Sequence, residues 1–208
     1  MMMIRAWWLA MMVLAVTLGG CASPYTLVPA SSIVVAHGTI RVDPGIAWNR
    51  MPPRRADIAW EENWTANGPA LDAIGFIGAL PDGEAIVRQR RGADRRVPVF
   101  RATMTPSDLV SMIETACRIR AGAAVFETLD VQPARLLGHA GIRFDFAYVG
   151  PDEIRRRGRV LAAVIDGRLY ALTLDGAALH YFGAALVDFD RIAASARPGA
   201  AAPPHPRP

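Results

Sequence analysis

Residues 6–18 carry no charge and are apolar except for Thr17, and that stretch decides where folding can begin. It follows a single charge at Arg5 and ends at the small residues Gly19 and Gly20, directly before Cys21. Thirteen residues are too few for an ordinary membrane span, which takes about 20. Charge, apolar run and small residues in this order are instead the three parts of a secretory signal. No basic residue follows before Arg41. The part of the chain that folds is therefore expected downstream of residues 1–20.

Leu18-Gly19-Gly20-Cys21 resembles the lipobox of bacterial lipoproteins. Small side chains there suit an extended segment entering a narrow protease site. The resemblance implies that the Cys21 thiol takes a diacylglycerol, that residues 1–20 are removed as a signal peptide, and that the new amino terminus is acylated. Two or three chains meet the requirement that stable anchoring takes more than one. Ala22 stands where an aspartate often retains such proteins in the inner membrane, which implies the outer membrane, facing the periplasm. The alternative is an uncleaved anchor helix ending at Cys21. Residues 21–32, including Ser23-Pro24, read as a tether.

Apolar residues at 52% and charged residues at 20% fit a globular body rather than a disordered one. All 23 basic residues are arginine, which a GC-rich genome explains most simply. A net charge of +4 is too small to point to nucleic acid as a partner. The second cysteine, Cys117, has no intrachain partner if Cys21 carries lipid. It follows Leu109, Met112, Ile113 and Ala116 at helical spacing, so a small buried hydrophobe is expected there, with a reactive thiol as the alternative.

Residues 33–196 read as one α+β domain, an antiparallel sheet flanked by helices. Ile33 to Val42 suggests short strands, Asn67-Gly68 a hairpin turn, and Leu71 to Leu80 a strand. Thr105, Pro106 and Asp108 are placed to cap and start a helix that Gly122 ends. Val125 to Leu129 and Ile142 to Val149 read as strands. Val160 to Ile165 and Leu169 to Leu174 form a hairpin around Asp166-Gly167. Asp175-Gly176 reads as a further turn, Leu186 to Ala196 as a closing helix, and residues 197–208 as a disordered Pro/Ala-rich tail. Ile40-Arg41-Val42 leading to Pro44 and Trp48, the central helix, and the hairpin followed by Phe189 to Ser195 together resemble the PsbP-like fold over residues 33–196. The resemblance implies an accessory or assembly role without catalytic residues and carries over no functional residue.

Motifs for chemistry are sparse. His37, His139, His180 and His205 have no metal-type spacing, and neither a serine elbow nor a phosphate-binding glycine loop is present. Arg88, Arg90, Arg91, Arg95 and Arg96, against the single Asp94, form a basic loop and a candidate anion contact. A solvated loop between two strands is the commoner explanation for them, as it is for Arg155 to Arg159. Trp48, Trp60 and Trp64 suggest core, or a groove for a sugar polymer. The expectation is a lipid-anchored envelope protein acting as a non-enzymatic binding or assembly accessory. It would need no cofactor, be held to the membrane through Cys21, and take an envelope protein or polymer as partner. The alternative is an envelope hydrolase or modifying enzyme using Cys117 or His180.

Overall fold

Thr105 behaves as its position predicts. In the computed structural model its hydroxyl accepts from the Asp108 amide while the Asp108 carboxylate accepts from the Thr105 amide, a reciprocal capping box. Helix α1 (Pro106–Ala121) follows and ends at Gly122, whose φ of 62° is the left-handed geometry that glycine tolerates best. The structure describes residues 24–54, 57–89 and 96–200.

The strands are β1 (Thr26–Val28), β2 (Ile33–Val35), β3 (Ile40–Val42), β4 (Trp48–Arg50), β5 (Glu61–Thr65), β6 (Asp72–Leu80), β7 (Phe126–Leu136), β8 (His139–Val149), β9 (Arg155–Ile165), β10 (Arg168–Ala177) and β11 (Arg197–Pro198). Helix α2 spans Tyr181–Ser195. Eight strands form one antiparallel sheet in the order β1-β4-β5-β6-β10-β9-β8-β7, and β11-β3-β2 form a small second one. The fold is α+β, as expected.

Alternation along the strands gives the sheet two buried faces. Leu172 and Leu174 of β10, with Trp64, Ile74, Phe76 and Leu161, point toward α2, which contributes Phe182, Ala185, Phe189 and Ile192. Leu169 and Ala171 point the other way and join Ile77, Val160, Phe144 and Phe146 beneath Leu109, Met112, Ile113 and Ala116 of α1. Each large apolar side chain so buried contributes about 1.5–3 kcal/mol. The β9–β10 turn is the predicted one: Asp166 and Gly167 both have positive φ, 49° and 72°, as a type I′ hairpin requires.

Several segments differ from expectation. Thr26–Val28, inside the segment read as a tether, pairs with β4. Arg197–Pro198, at the start of the segment read as a tail, pairs with β3. Strands of three and two residues are too short to show a period. Asp175-Gly176 is not a turn but part of β10, because β9 runs from Arg155 and gives those residues a partner strand. For the same reason Arg155 to Arg159 are strand rather than solvated loop. Helix α2 begins at Tyr181, five residues before the expected Leu186, with no side-chain cap at His180 to mark the start. No helix among the described residues is long and apolar enough to cross a membrane.

Candidate functional site

The α1-facing side of the sheet is not completely filled. Ala73 and Gly75 of β6 line the unfilled part with small side chains, and beside them Gly158 of β9 has its space taken by Phe146. A Cβ at Gly158 would strike the Phe146 ring at 1.9 Å, so this glycine lets that aromatic lie across β9. Ala73 and Gly158 are the cross-strand neighbours of Asp175. The result is a cavity of about 510 Å³ bounded by the sheet, by Ile113, Cys117 and Arg120 of α1, and by Met51, Arg54 and Asp57 of the loop after β4. That volume lies within the usual range for a small-molecule site, about 300–1,000 Å³.

One wall is aromatic. Phe126 stacks on Phe146 at 5.0 Å and on Tyr148 at 5.7 Å, and Phe146 and Tyr148 are 6.0 Å apart. The polar groups around the cavity are mostly committed. Arg120 forks onto Glu61, whose side chain is 1% exposed, and also donates to the Ile86 carbonyl at 2.8 Å. Arg156 donates to Asp152 at 3.0 Å.

Asp175 is the exception. Its Oδ2 accepts from the Tyr148 hydroxyl at 2.6 Å, but Oδ1 is buried with no hydrogen-bond partner among the described residues. Burial pushes the Asp175 carboxyl up from the usual range, opposed by the Tyr148 hydrogen bond and by Arg156 and Arg120. Burial, the Asp175 charge and the hydrogen bond to it push the Tyr148 phenol up as well, so it stays a donor.

Cys117, half-buried, lines this cavity. Burial pushes its thiol up to about 12, against a pull downward from Arg120. A thiolate is the reactive form, so native Cys117 should react with a maleimide at pH 7 roughly a thousandfold more slowly than in denatured chain. The ratio of native to denatured labelling rates measures this, and equal rates would contradict it.

The other candidates lie elsewhere. His180 is exposed and precedes α2 on the opposite side of the sheet, edge-on to Tyr181 at 5.2 Å. It is not brought to Cys117. Arg88 and Arg96 are exposed, on an excursion closed by the Ala85–Val99 bridge. Arg90, Arg91 and Arg95 lie outside the described residues, as does Cys21. Trp48 and Trp64 are 1% and 0% exposed and belong to the α2-side core, and Trp60 packs against the other core, so the three form no groove. Of the β9 arginines, Arg156 turns to the cavity, Arg157 lies 5.0 Å from the Phe182 ring, and Arg159 reaches α2. Among the described residues no group of histidine, cysteine and acidic side chains could hold a metal.

The residue that sequence reasoning missed is Asp175, taken for a turn residue. β10 passes through Asp175 because β9 runs from Arg155, and nothing in the arginine-rich stretch before Val160 marked that length in the sequence.

No family model and no curated protein matches this sequence. Among solved structures, the cyanobacterial PsbP protein CyanoP of Synechocystis sp. PCC 6803 superposes with a TM-score of 0.54 at 12% identity, covering 86% of this chain and 96% of that one. LpqN, involved in cell envelope biogenesis of Mycobacterium tuberculosis, gives a TM-score of 0.34 at 12% identity, covering 88% and 87%. The first likeness shows the fold: a PsbP-like α+β domain, as its strand and helix order suggested.

Proposed function

We propose that this chain is a lipid-anchored protein of the bacterial cell envelope that works by binding, with the cavity under α1 as its binding site. The leader and Leu18-Gly19-Gly20-Cys21 support the anchor, and Ala22 supports the outer membrane, on its periplasmic side. The observation that carries the binding reading is the cavity of about 510 Å³ whose buried Asp175 Oδ1 has no partner among the described residues. A binding or assembly accessory uses such a site to hold a small molecule or the end of an envelope polymer. Catalysis by Cys117 has less support, because its thiol is held protonated and His180 lies on the other side of the sheet.

Two measurements test this reading. Cys21→Ala should abolish labelling by an alkynyl fatty acid and leave the precursor at its uncleaved mass. Processing at the same position in that variant would overturn the lipid anchor. Native mass spectrometry of the full chain released from membranes should show a bound small molecule or polymer fragment, lost on denaturation.

A further inference from the structure

The geometry points to a small organic cation as the occupant of the cavity, its protonated nitrogen on Asp175 and its apolar body against Phe126, Phe146 and Tyr148. This rests on the binding reading above and adds the ligand's chemistry.

The argument is one of unmatched charge. Besides Asp175, the charged and titratable groups lining the cavity among the described residues are Tyr148 from β8, Arg156 from β9, Asp152 from the β8–β9 turn, Arg120 and Cys117 from α1, and Arg54 with Asp57 from the loop after β4. Glu61 of β5 stands behind Arg120. Arg156 is matched by Asp152 and Arg120 by Glu61. Arg54 and Asp57 put one charge of each sign on one loop, where the Arg54 backbone amide donates to the Asp57 carboxylate at 2.7 Å and the Arg54 guanidinium donates to Met51 Sδ at 3.0 Å. Tyr148 and Cys117 stay neutral. Among the described residues Asp175 is then the acid left over, with Oδ1 lacking any donor.

An ammonium or amidinium group supplies both the charge and the missing hydrogen bond, and a charge-assisted bond is the stronger kind. The stacked rings of Phe126, Phe146 and Tyr148 give the ligand's apolar body a surface to bury against. A carboxylate ligand would face Asp175 as a like charge. An alcohol could donate to Oδ1 but would leave the charge unbalanced.

Three probes of matched body separate these cases: 4-phenylbutylamine, 4-phenylbutanol and 4-phenylbutyrate. Each is titrated calorimetrically into the full chain in lipid nanodiscs, with empty nanodiscs subtracted. The amine should bind more tightly than either analogue by at least about tenfold. Its affinity should rise with pH as Asp175 ionises.

Asp175→Asn keeps an acceptor for the Tyr148 hydroxyl but lacks the charge, so the amine preference and its pH dependence should both disappear. Circular dichroism and a thermal melt check that this variant folds. A preference for the alcohol or the acid, equal binding of all three, or an amine preference that survives in Asp175→Asn would overturn the cation proposal while leaving the binding reading standing. If no probe binds and native mass spectrometry finds nothing bound, both fall.

Discussion

Trp64→Ala should be the most damaging single substitution in the sheet, lowering stability by about 4 kcal/mol, within the range for a buried Trp cut to Ala. Trp64 is 0% exposed and belongs to the core beneath α2. Its ring packs on Phe76 at a centroid distance of 4.6 Å. Its Nε1 donates to Glu62 Oε1 at 2.8 Å, an oxygen that also accepts from Arg50 Nε at 2.6 Å, while Oε2 accepts from the Ala36 amide at 3.1 Å. Truncation therefore opens a cavity beside Phe76 and removes one donor from the Glu62 carboxylate that ties β4, β5 and the β2–β3 turn together. In a domain of this size 1 kcal/mol moves the melting temperature by about 2–4 °C, so a fall of roughly 8–16 °C is expected. Calorimetry decides it, and a shift below about 3 °C would show that the α2-side core is not the principal one.

Asp145→Ala should cost nearly as much, by a different route. Arg159 Nε and Nη2 donate to the two Asp145 oxygens at 2.7 and 3.0 Å, and Nη1 donates to Asp190 of α2 at 3.1 Å. The Asp145 and Arg159 side chains are 9% and 12% exposed, whereas Asp190 is 55% exposed. Removing the buried partner strands a desolvated guanidinium, which costs about 3 kcal/mol, the low end for such a break because Asp190 remains. Asp190→Ala, an exposed partner, should cost less than about 1 kcal/mol. Asp145→Leu combined with Arg159→Met should recover most of the loss, since an apolar pair of similar volume often equals a buried ion pair. Urea denaturation of the three variants checks the ordering. If Asp190→Ala proved the worst, the pair joining sheet to helix would matter more than the one within the sheet.

How much of this was legible depends on how local each signal is. Thr105, Pro106, Asp108 and Gly122 mark α1 within one short stretch, and Asp166-Gly167 marks its hairpin for the same reason. β7 was legible only to Leu129. It continues through a bulge, with Asp130 at φ 49°, and past Pro133. Proline survives there because β7 is an edge strand whose outward amides need no partner. Arg155 to Arg159 looked like a solvated cluster because composition does not show which side of a strand each residue takes.

The cavity was illegible for a further reason. Asp57, Cys117, Tyr148 and Asp175 are distant in sequence and meet only through the order β6-β10-β9-β8 and the placement of α1 above it. Cys117 could be assigned to a buried helix face, but its neighbours could not.

The early position of β1 has a consequence for where such a domain can search. Thr26 is already paired with Arg50, only five residues after Cys21. Five residues reach at most roughly 17 Å when fully extended. With lipid on Cys21, the sheet would ride close against the headgroups instead of sampling the periplasm on a long leash. Encounters would then be confined to a thin layer at the bilayer surface, and the body would meet mainly molecules that are themselves in, on or leaving that membrane.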